Sequence, residues 1–299
     1  MRAPIWSAHL HCARIIQRPQ RRTVVSAPQV NTLSFLASTL LFLGYPEQSA
    51  AAAEKAETRA RAIGRAFTSA LGFTNMAALG IIGGDPRRAL ALADEAIALS
   101  VENEFASLDR RARFLRGSLI AQAGGIQAGI DLMRSAFAAA DSNSERNRRT
   151  LYLCHIASAY AELGQPEVGL DLLDEAVQSA EATSERFFEA ELYRLRGKIH
   201  LSLDKKDEAE AELKRALTIA RQQEARWWEL RAATTLARHW HDEGRFLEAI
   251  SLLQPIYGWF VEGFDTPDLK DAKTLLDELK IVSGTQIQAA SGQFRQRGA

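Results

Sequence analysis

A forty-residue spacing of small residues constrains the fold of this chain more than any other feature. The positions at this spacing, here called the anchors, are glycine in five of six cases: Gly44, Gly84, Gly124, Gly164, Asp204 and Gly244. Small residues also follow the anchors by five positions (Ser49, Ala89, Gly129, Gly169, Ala209, Ala249) and by twelve (Ala56, Ala96, Ala136, Ala176, Ala216, with Ile256 the exception). A fixed period with its own internal pattern is typical of a helical repeat array, so we expect one elongated all-α domain.

Each forty-residue unit is predicted to be a pair of helices. Small residues precede the anchors by seven positions (Ala37, Ala77, Gly117, Ala157, Gly197, Ala237), and a mostly larger residue follows three positions later. Two helices pack closely where one presents a small side chain to a bulky one on the other, which indicates a helical hairpin. The anchor glycine is expected to end the first helix in the left-handed conformation. A proline two residues later, as at Pro166, suits the start of the second helix.

The two ends of the chain depart from the repeat. Residues 1–29 contain five arginines and no acidic residue, and we expect a disordered or non-native tail there. An export signal is the alternative, but the apolar run at 33–43 lies in the repeat register and is expected to be the first helix. Pro255 and Gly258 interrupt the last unit, and Thr266 begins a predicted capping helix that ends near Leu279. The repeat domain is therefore predicted at 30–280, followed by a disordered tail at 281–299.

The composition excludes few functions but gives no sign of a nucleic-acid or membrane partner. Basic and acidic residues are equal in number, 37 of each, so the formal net charge of the chain is zero. Its two cysteines, Cys12 and Cys154, are far apart in sequence, which argues against a disulfide framework and favours the cytoplasm.

Three segments carry a resemblance to a known family: ERFFEAELYRLRG (185–197), WELRAATTLARHW (228–240) and PIYGWFVEGFDTPDLKDAKTLLDEL (255–279). The units resemble the tetratricopeptide repeat, whose common length is about 34 residues. The segments look like the carboxy-terminal repeat region of bacterial signalling proteins that carry a class III adenylate or guanylate cyclase domain, or a DNA-binding regulatory domain, and then a P-loop ATPase. This resemblance covers nearly all of 30–280. It implies a right-handed superhelical solenoid of six tetratricopeptide-like hairpins with a C-terminal capping helix.

The catalytic motifs of those larger proteins are missing from this sequence. A P-loop needs Gly-x-x-x-x-Gly-Lys-Ser/Thr, whereas the Gly197-Lys198 pair has Leu192 five residues before the glycine and Ile199 after the lysine. The glycine-rich stretch 80–85 follows a helix pattern rather than a strand, which favours a repeat turn over a phosphate loop. No strand-like segment could hold the metal-binding aspartates of a cyclase. We therefore expect no catalytic residue, no cofactor and no metal, and a chain that is not an enzyme.

Four basic residues on the first helices of the fifth and sixth units form the candidate binding site: Arg194, Lys198, Arg231 and Arg238. In tetratricopeptide arrays these helices line the concave groove, where the cations could bind a carboxylate or phosphate of a partner. The alternative is a solvated face whose charge is compensated by Glu189, Glu191 and Glu229. A chaperone co-factor is disfavoured, because the position expected to carry the asparagine of the chaperone clamp holds Ser38, Ser118, Ser158 and Lys198.

Other chemistry-bearing residues have plainer interpretations. His239 and His241 are two residues apart and lie on different sides of a helix, so we expect surface histidines rather than a shared metal site. Cys154 and His200 are predicted to be core residues. The arginines at 110, 111, 113 and 116 share no helix face and are expected to be solvated.

Three functions remain open from the sequence. The first is a non-catalytic scaffold in bacterial signalling whose concave surface binds a protein or peptide. The second is a detached C-terminal part of a cyclase or ATP-dependent regulator, which the DNA upstream of the start codon would reveal. The third is a small-molecule sensor array, which requires an apolar pocket.

Overall fold

The computed structural model describes the backbone of residues 27–138 and 148–296, which form thirteen helices and no strand. Most of residues 1–29, the predicted tail, lie outside this range. The helices are α1 (Ala27–Phe42), α2 (Pro46–Ile63), α3 (Ala66–Gly83), α4 (Pro86–Glu102), α5 (Ala106–Gln122), α6 (Ile126–Ala138), α7 (Arg149–Glu162), α8 (Pro166–Thr183), α9 (Glu189–Ser202), α10 (Lys206–Gln222), α11 (Arg226–Asp242), α12 (Phe246–Tyr257) and α13 (Pro267–Gln296).

The first twelve helices form the six predicted hairpins, and the small residues lie where the paired helices cross. The Ser49 hydroxyl donates to the Ala37 carbonyl oxygen at 2.7 Å. A β-carbon added to Gly129 would lie 2.6 Å from the Gly117 carbonyl oxygen. At these crossings small residues face small residues, which lets the two backbones approach closely. The predicted pairing of small with bulky also occurs, because Leu213 covers Gly197.

The turns repeat every twenty residues rather than every forty. Four anchor glycines are left-handed as predicted, Asp204 is left-handed without a glycine, and so are four residues between the hairpins: Gly64, Glu104, Ser184 and Glu224. The prediction is wrong at Gly84, whose φ is −101°. The helix before it continues to Gly83, and the Asp85 carboxylate begins the next one by accepting from the backbone N–H groups of Arg87 and Arg88.

The first helices of successive hairpins contact one another and form the inner layer of the array. Four aromatic rings of these helices, together with the ring of Phe188 just before α9, make a chain through the interior. Phe114 and His155 have ring centroids 6.4 Å apart, His155 and Phe188 5.9 Å, Phe188 and Trp228 5.4 Å, and Trp228 and Phe42 5.2 Å. This chain runs from the third unit to the sixth and then to the first. The superhelix therefore curls until its first unit meets its last.

A second set of contacts, between residues 44–48 and 259–263, closes the superhelix. These contacts are here called the clasp. The Glu262 carboxylate accepts from the backbone N–H groups of Glu47 (3.0 Å) and Gln48 (3.1 Å), the first turn of α2. The Glu47 carboxylate accepts in return from the Gly263 N–H at 2.9 Å. Trp259 packs against Tyr45, with the ring centroids 5.6 Å apart.

The capping helix begins one residue after Thr266, as predicted, and buries Leu269, Ala272, Leu275, Leu276 and Leu279 against the end of the array. Its backbone stays helical to Gln296, so the expected boundary at residue 280 does not coincide with the end of a helix.

The inner helix α3 is long and apolar enough, by length and composition alone, to cross a membrane. Its mean hydropathy is 1.4, and 56% of it is buried in the array, where it contacts α1, α2, α4 and α5. Burial against four neighbouring helices accounts for this apolar composition.

The clasp can be tested with Glu262→Ala. We expect backbone amide exchange at Glu47 and Gln48 to accelerate on the order of 10- to 100-fold, because two N–H groups lose a charged acceptor. The far-UV circular dichroism should not change, because every helix keeps its hairpin partner. Glu278→Ala, which removes an exposed carboxylate from α13, is the control. Equal exchange rates in both variants would show that Glu262 does not hold the first unit.

Candidate functional site

A groove of about 500 Å³ lies between α9, α11 and α13. All four basic residues predicted from the sequence line it: Arg194 and Lys198 from α9, and Arg231 and Arg238 from α11. The structure thus brings together residues that are up to 44 positions apart, because equivalent positions of adjacent repeats face the same side. Two of the helices that line the groove, α9 and α11, belong to the inner layer.

The floor of the groove is a chain of alternating charges. Arg194 makes two hydrogen bonds to the Glu191 carboxylate, both 2.7 Å. Arg231 lies 3.1 Å from Glu191 and 3.3 Å from Asp268, the second residue of α13. Glu191 is 4% exposed and Arg194 8% exposed, so this pair is removed from water. Arg194 and Arg231, two of the four predicted cations, are therefore already neutralised by these carboxylates. They form part of the groove floor.

The two carboxyl groups of the floor differ in their pKa. Burial by itself raises the pKa of Glu191, but Arg194 and Arg231 outweigh it and hold that pKa below its usual value. At Asp268 burial dominates, and the pKa is raised although Arg231 and Arg194 oppose this. The Asp268 carboxylate is thus the less strongly stabilised of the two, and it lies on the helix that closes the groove.

The rim carries the cations that remain accessible. The ammonium groups of Lys198 and Lys206 are about half exposed, and each lies 3.9 Å from its nearest carboxylate, Glu162 and Glu243 respectively. Arg238 pairs with Asp271 at 2.5 Å. Ion pairs this exposed contribute little to stability, so an incoming carboxylate can replace them at small cost.

The charge around the groove is mixed rather than basic. Its lining contains five cations and five carboxylates, the latter being Asp204, Asp242, Glu243, Asp268 and Asp271. Of the three acids expected to compensate the site, only Glu191 does so. Glu189 pairs with Arg186, and Glu229 pairs with Arg221 and Arg226. The repeat register could not identify Asp268 and Asp271, because α13 lies outside it.

His239 differs from its prediction as a surface residue. It is 5% exposed, and its ring nitrogens lie within 4.8 Å of the Glu210 and Glu243 carboxylates. The reason is that its side of α11 faces α10, whereas His241 is more exposed and lies beside Asp242. These three residues could in principle hold a metal ion, but Arg245 and Lys214 already bind Glu210 at 2.7 Å each. These ion pairs account for the charge of Glu210, and Glu243 lies 3.5 Å from Arg245.

The remaining sequence candidates are structural. Cys154 is fully buried and unpaired, and burial raises the pKa of its thiol. His200 is half-buried, and burial lowers its pKa. Residues 80–83 of the glycine-rich stretch form the end of α3, and residues 84 and 85 make the turn to α4. The arginine cluster is divided among separate partners, with Arg111 on Asn75, Arg113 on Asp109 and Arg116 on Asp94.

Comparison with known proteins agrees with the helical-repeat fold. Residues 147–222 match the family model described as tetratricopeptide repeat. The chain folds as a tetratricopeptide-like array. It is similar to a Rap protein in complex with competence and sporulation factor, with a TM-score of 0.62 and 11% identity over 93% of this chain and 80% of that one. It is also similar to aspartyl phosphate phosphatase F from Bacillus subtilis, with a TM-score of 0.52 and 13% identity over 93% and 72%.

A weaker likeness connects the array to a signal transduction ATPase with numerous domains from Pyrococcus horikoshii, which has a tetratricopeptide repeat sensor. The TM-score is 0.44 and the identity 14%, over 85% of this chain and 39% of that one. No curated protein matches the sequence significantly.

Proposed function

We propose that this chain is a non-catalytic interaction scaffold that binds a protein or peptide in the groove between α9, α11 and α13. The observation that carries this proposal is an open groove of about 500 Å³ whose lining combines the accessible cations Lys198, Lys206 and Arg238 with five carboxylates. A peptide offers carboxylates to the cations and N–H groups to the acids, which a ligand of one charge sign cannot do. The likeness in fold to a Rap protein bound to competence and sporulation factor supports this class of partner.

We infer a place in bacterial signalling from the three segments that resemble the repeat region of cyclase- and ATPase-linked regulators, and a place in the cytoplasm from the two widely separated cysteines. In such a setting the array senses or docks a partner, and the chemistry belongs to another domain or protein. The buried Arg194–Glu191 pair supports the floor, and the rim cations make the contacts.

The experiment reverses the accessible charges of the rim. We expect Lys198→Glu combined with Lys206→Glu and Arg238→Glu to abolish binding of peptides selected from a random display library on the wild-type protein, with at least a tenfold loss of affinity by calorimetry. The buried Arg194 is left unchanged, so that the variant keeps its fold.

The matched control makes the same charge change on the outer helices, with Lys55→Glu, Arg59→Glu and Arg87→Glu, all exposed. We expect it to bind the selected peptides as the wild type does. Peptides that bind the rim variant with wild-type affinity, or a library that yields no enriched peptide, would contradict the groove as the binding site.

A further inference from the structure

A second cavity, of about 140 Å³, opens on the outer side of the array between the first two units. Its walls are apolar and come from α2, α3 and α4, with Met76, Leu79 and Leu92 as the largest side chains. Glu57, Asp85 and Arg88 are its charged residues. It lies on different helices from the groove between α9, α11 and α13.

The repeat register explains why this cavity exists. Four positions before the anchor the second unit has Gly80, where the later units have Ile120, Tyr160, His200 and Trp240. Ala53 lies in the same cavity wall, at a position that holds leucine in the last three units: Leu173, Leu213 and Leu253. Two large side chains that the register supplies elsewhere are therefore absent here.

The later units show what occupies the equivalent gap. The Trp240 ring lies beside Glu210 and beneath Arg245, whose guanidinium is 4.7 Å from a ring centroid. Glu210 and Arg245 are the repeat equivalents of Ala50 and Asp85, which both line the cavity. In the fourth unit, Tyr160 accepts a hydrogen bond from Arg134 at 2.7 Å, with that guanidinium 5.9 Å from the ring. In both units an aromatic ring fills the gap next to an arginine.

The second unit can supply neither the ring nor any other side chain at this position. A β-carbon added to Gly80 would lie 2.3 Å from the β-carbon of Ala89, because α3 and α4 approach closely there. An arginine is nevertheless present. Arg88 donates to Glu57 from Nε at 3.0 Å and from Nη2 at 2.6 Å, and both residues line the cavity.

We propose that this cavity is a binding site for a small free aromatic molecule of one or two fused rings, which takes the place that Trp240 and Tyr160 fill in later units. An enclosed apolar cavity of about 150 Å³ binds benzene, and this open cavity of about 140 Å³ has a similar volume. The Met76 thioether and the Arg88 guanidinium are both groups that favour contact with an aromatic ring. A free molecule fits better than the side chain of a partner, because the volume of about 140 Å³ suits one or two rings and offers little room for a peptide as well.

The methionines provide a direct test. The chain has three, Met1, Met76 and Met133, and only Met76 lines the cavity, while Met133 is fully buried in the third unit. With the methyl groups labelled with carbon-13, we expect indole to shift the Met76 resonance saturably and to leave Met133 unchanged. No shift of Met76 at millimolar indole, or equal shifts of both resonances, would overturn the proposal.

Two variants and a second probe complete the experiment. Ala53→Leu places in the wall the residue used by later units, and we expect it to abolish the Met76 shift while the circular dichroism is unchanged. Ala51→Leu, exposed on the same helix, should keep the shift, as should the rim variant of the groove. Retention of the shift in Ala53→Leu would also overturn the proposal.

N-acetyltryptophanamide, the second probe, should leave the Met76 resonance unshifted. A shift equal to that caused by indole would instead assign the cavity to a partner's side chain.

Discussion

Replacing Glu191 by alanine should lower the free energy of unfolding by about 3–5 kcal/mol, the largest effect that we expect from a single substitution. Glu191 accepts two hydrogen bonds from the buried Arg194 and also lies 3.1 Å from Arg231. Its removal leaves a buried guanidinium without its carboxylate, and the desolvation of that charge is no longer compensated. Urea denaturation at neutral pH, followed by circular dichroism, measures the difference.

The control for this substitution is Glu175→Ala. It removes the carboxylate of an ion pair with Arg149 in which both side chains are more than 40% exposed. Such a pair contributes roughly 0–1 kcal/mol, so the midpoint should hardly move. If both variants lost the same stability, the Arg194–Glu191 pair would not support the groove floor as we describe.

Replacing Gly129 by leucine should destabilise the protein by about 2–3 kcal/mol. Even a β-carbon at this position would lie 2.6 Å from the Gly117 carbonyl oxygen and 2.7 Å from the Ala121 backbone nitrogen. Backbone atoms cannot move aside as a flexible side chain can, so α5 and α6 must separate. The gain in helix propensity on replacing glycine, about 1 kcal/mol, offsets only part of this cost.

Ala128→Leu provides the comparison for Gly129→Leu. Ala128 precedes Gly129 on the same helix but is exposed, so we expect a change within about 0.5 kcal/mol. Thermal denaturation of the two variants side by side measures the contrast. Equal stability of both would contradict a close crossing of α5 and α6 at the two glycines.

The hairpins could be predicted because their causes are local. Close crossing of two helices requires small residues at fixed positions, and the left-handed turn at an anchor favours glycine. Both requirements therefore place small residues in the sequence at a spacing of forty. The capping helix was predictable for the same reason, from Thr266 and Pro267. Gly84 shows the limit of a local rule: α4 begins at Pro86, in register with Pro46 and Pro166, but α3 continues to Gly83 and Gly84 is not left-handed.

Closure of the superhelix and the charge of the groove could not be predicted. The clasp joins Glu47 to residues more than 200 positions later, and Trp259 and Glu262 lie in a segment that the repeat does not cover. The groove was partly predicted. The register placed its four cations on one side, but Asp268 and Asp271 come from a helix whose position depends on how the last unit ends.

The clasp changes how the array is expected to unfold. In an open stack of repeats each terminal unit has one neighbour, so the ends fray first and unfolding spreads inward. Here the first and sixth units each gain a second neighbour through Glu262, Trp259 and the Phe42–Trp228 contact. Fraying at either end must first break an interface that an open array does not have. Closure should therefore make the six units unfold together, as in a globular domain, although each unit has the local sequence pattern of a linear repeat.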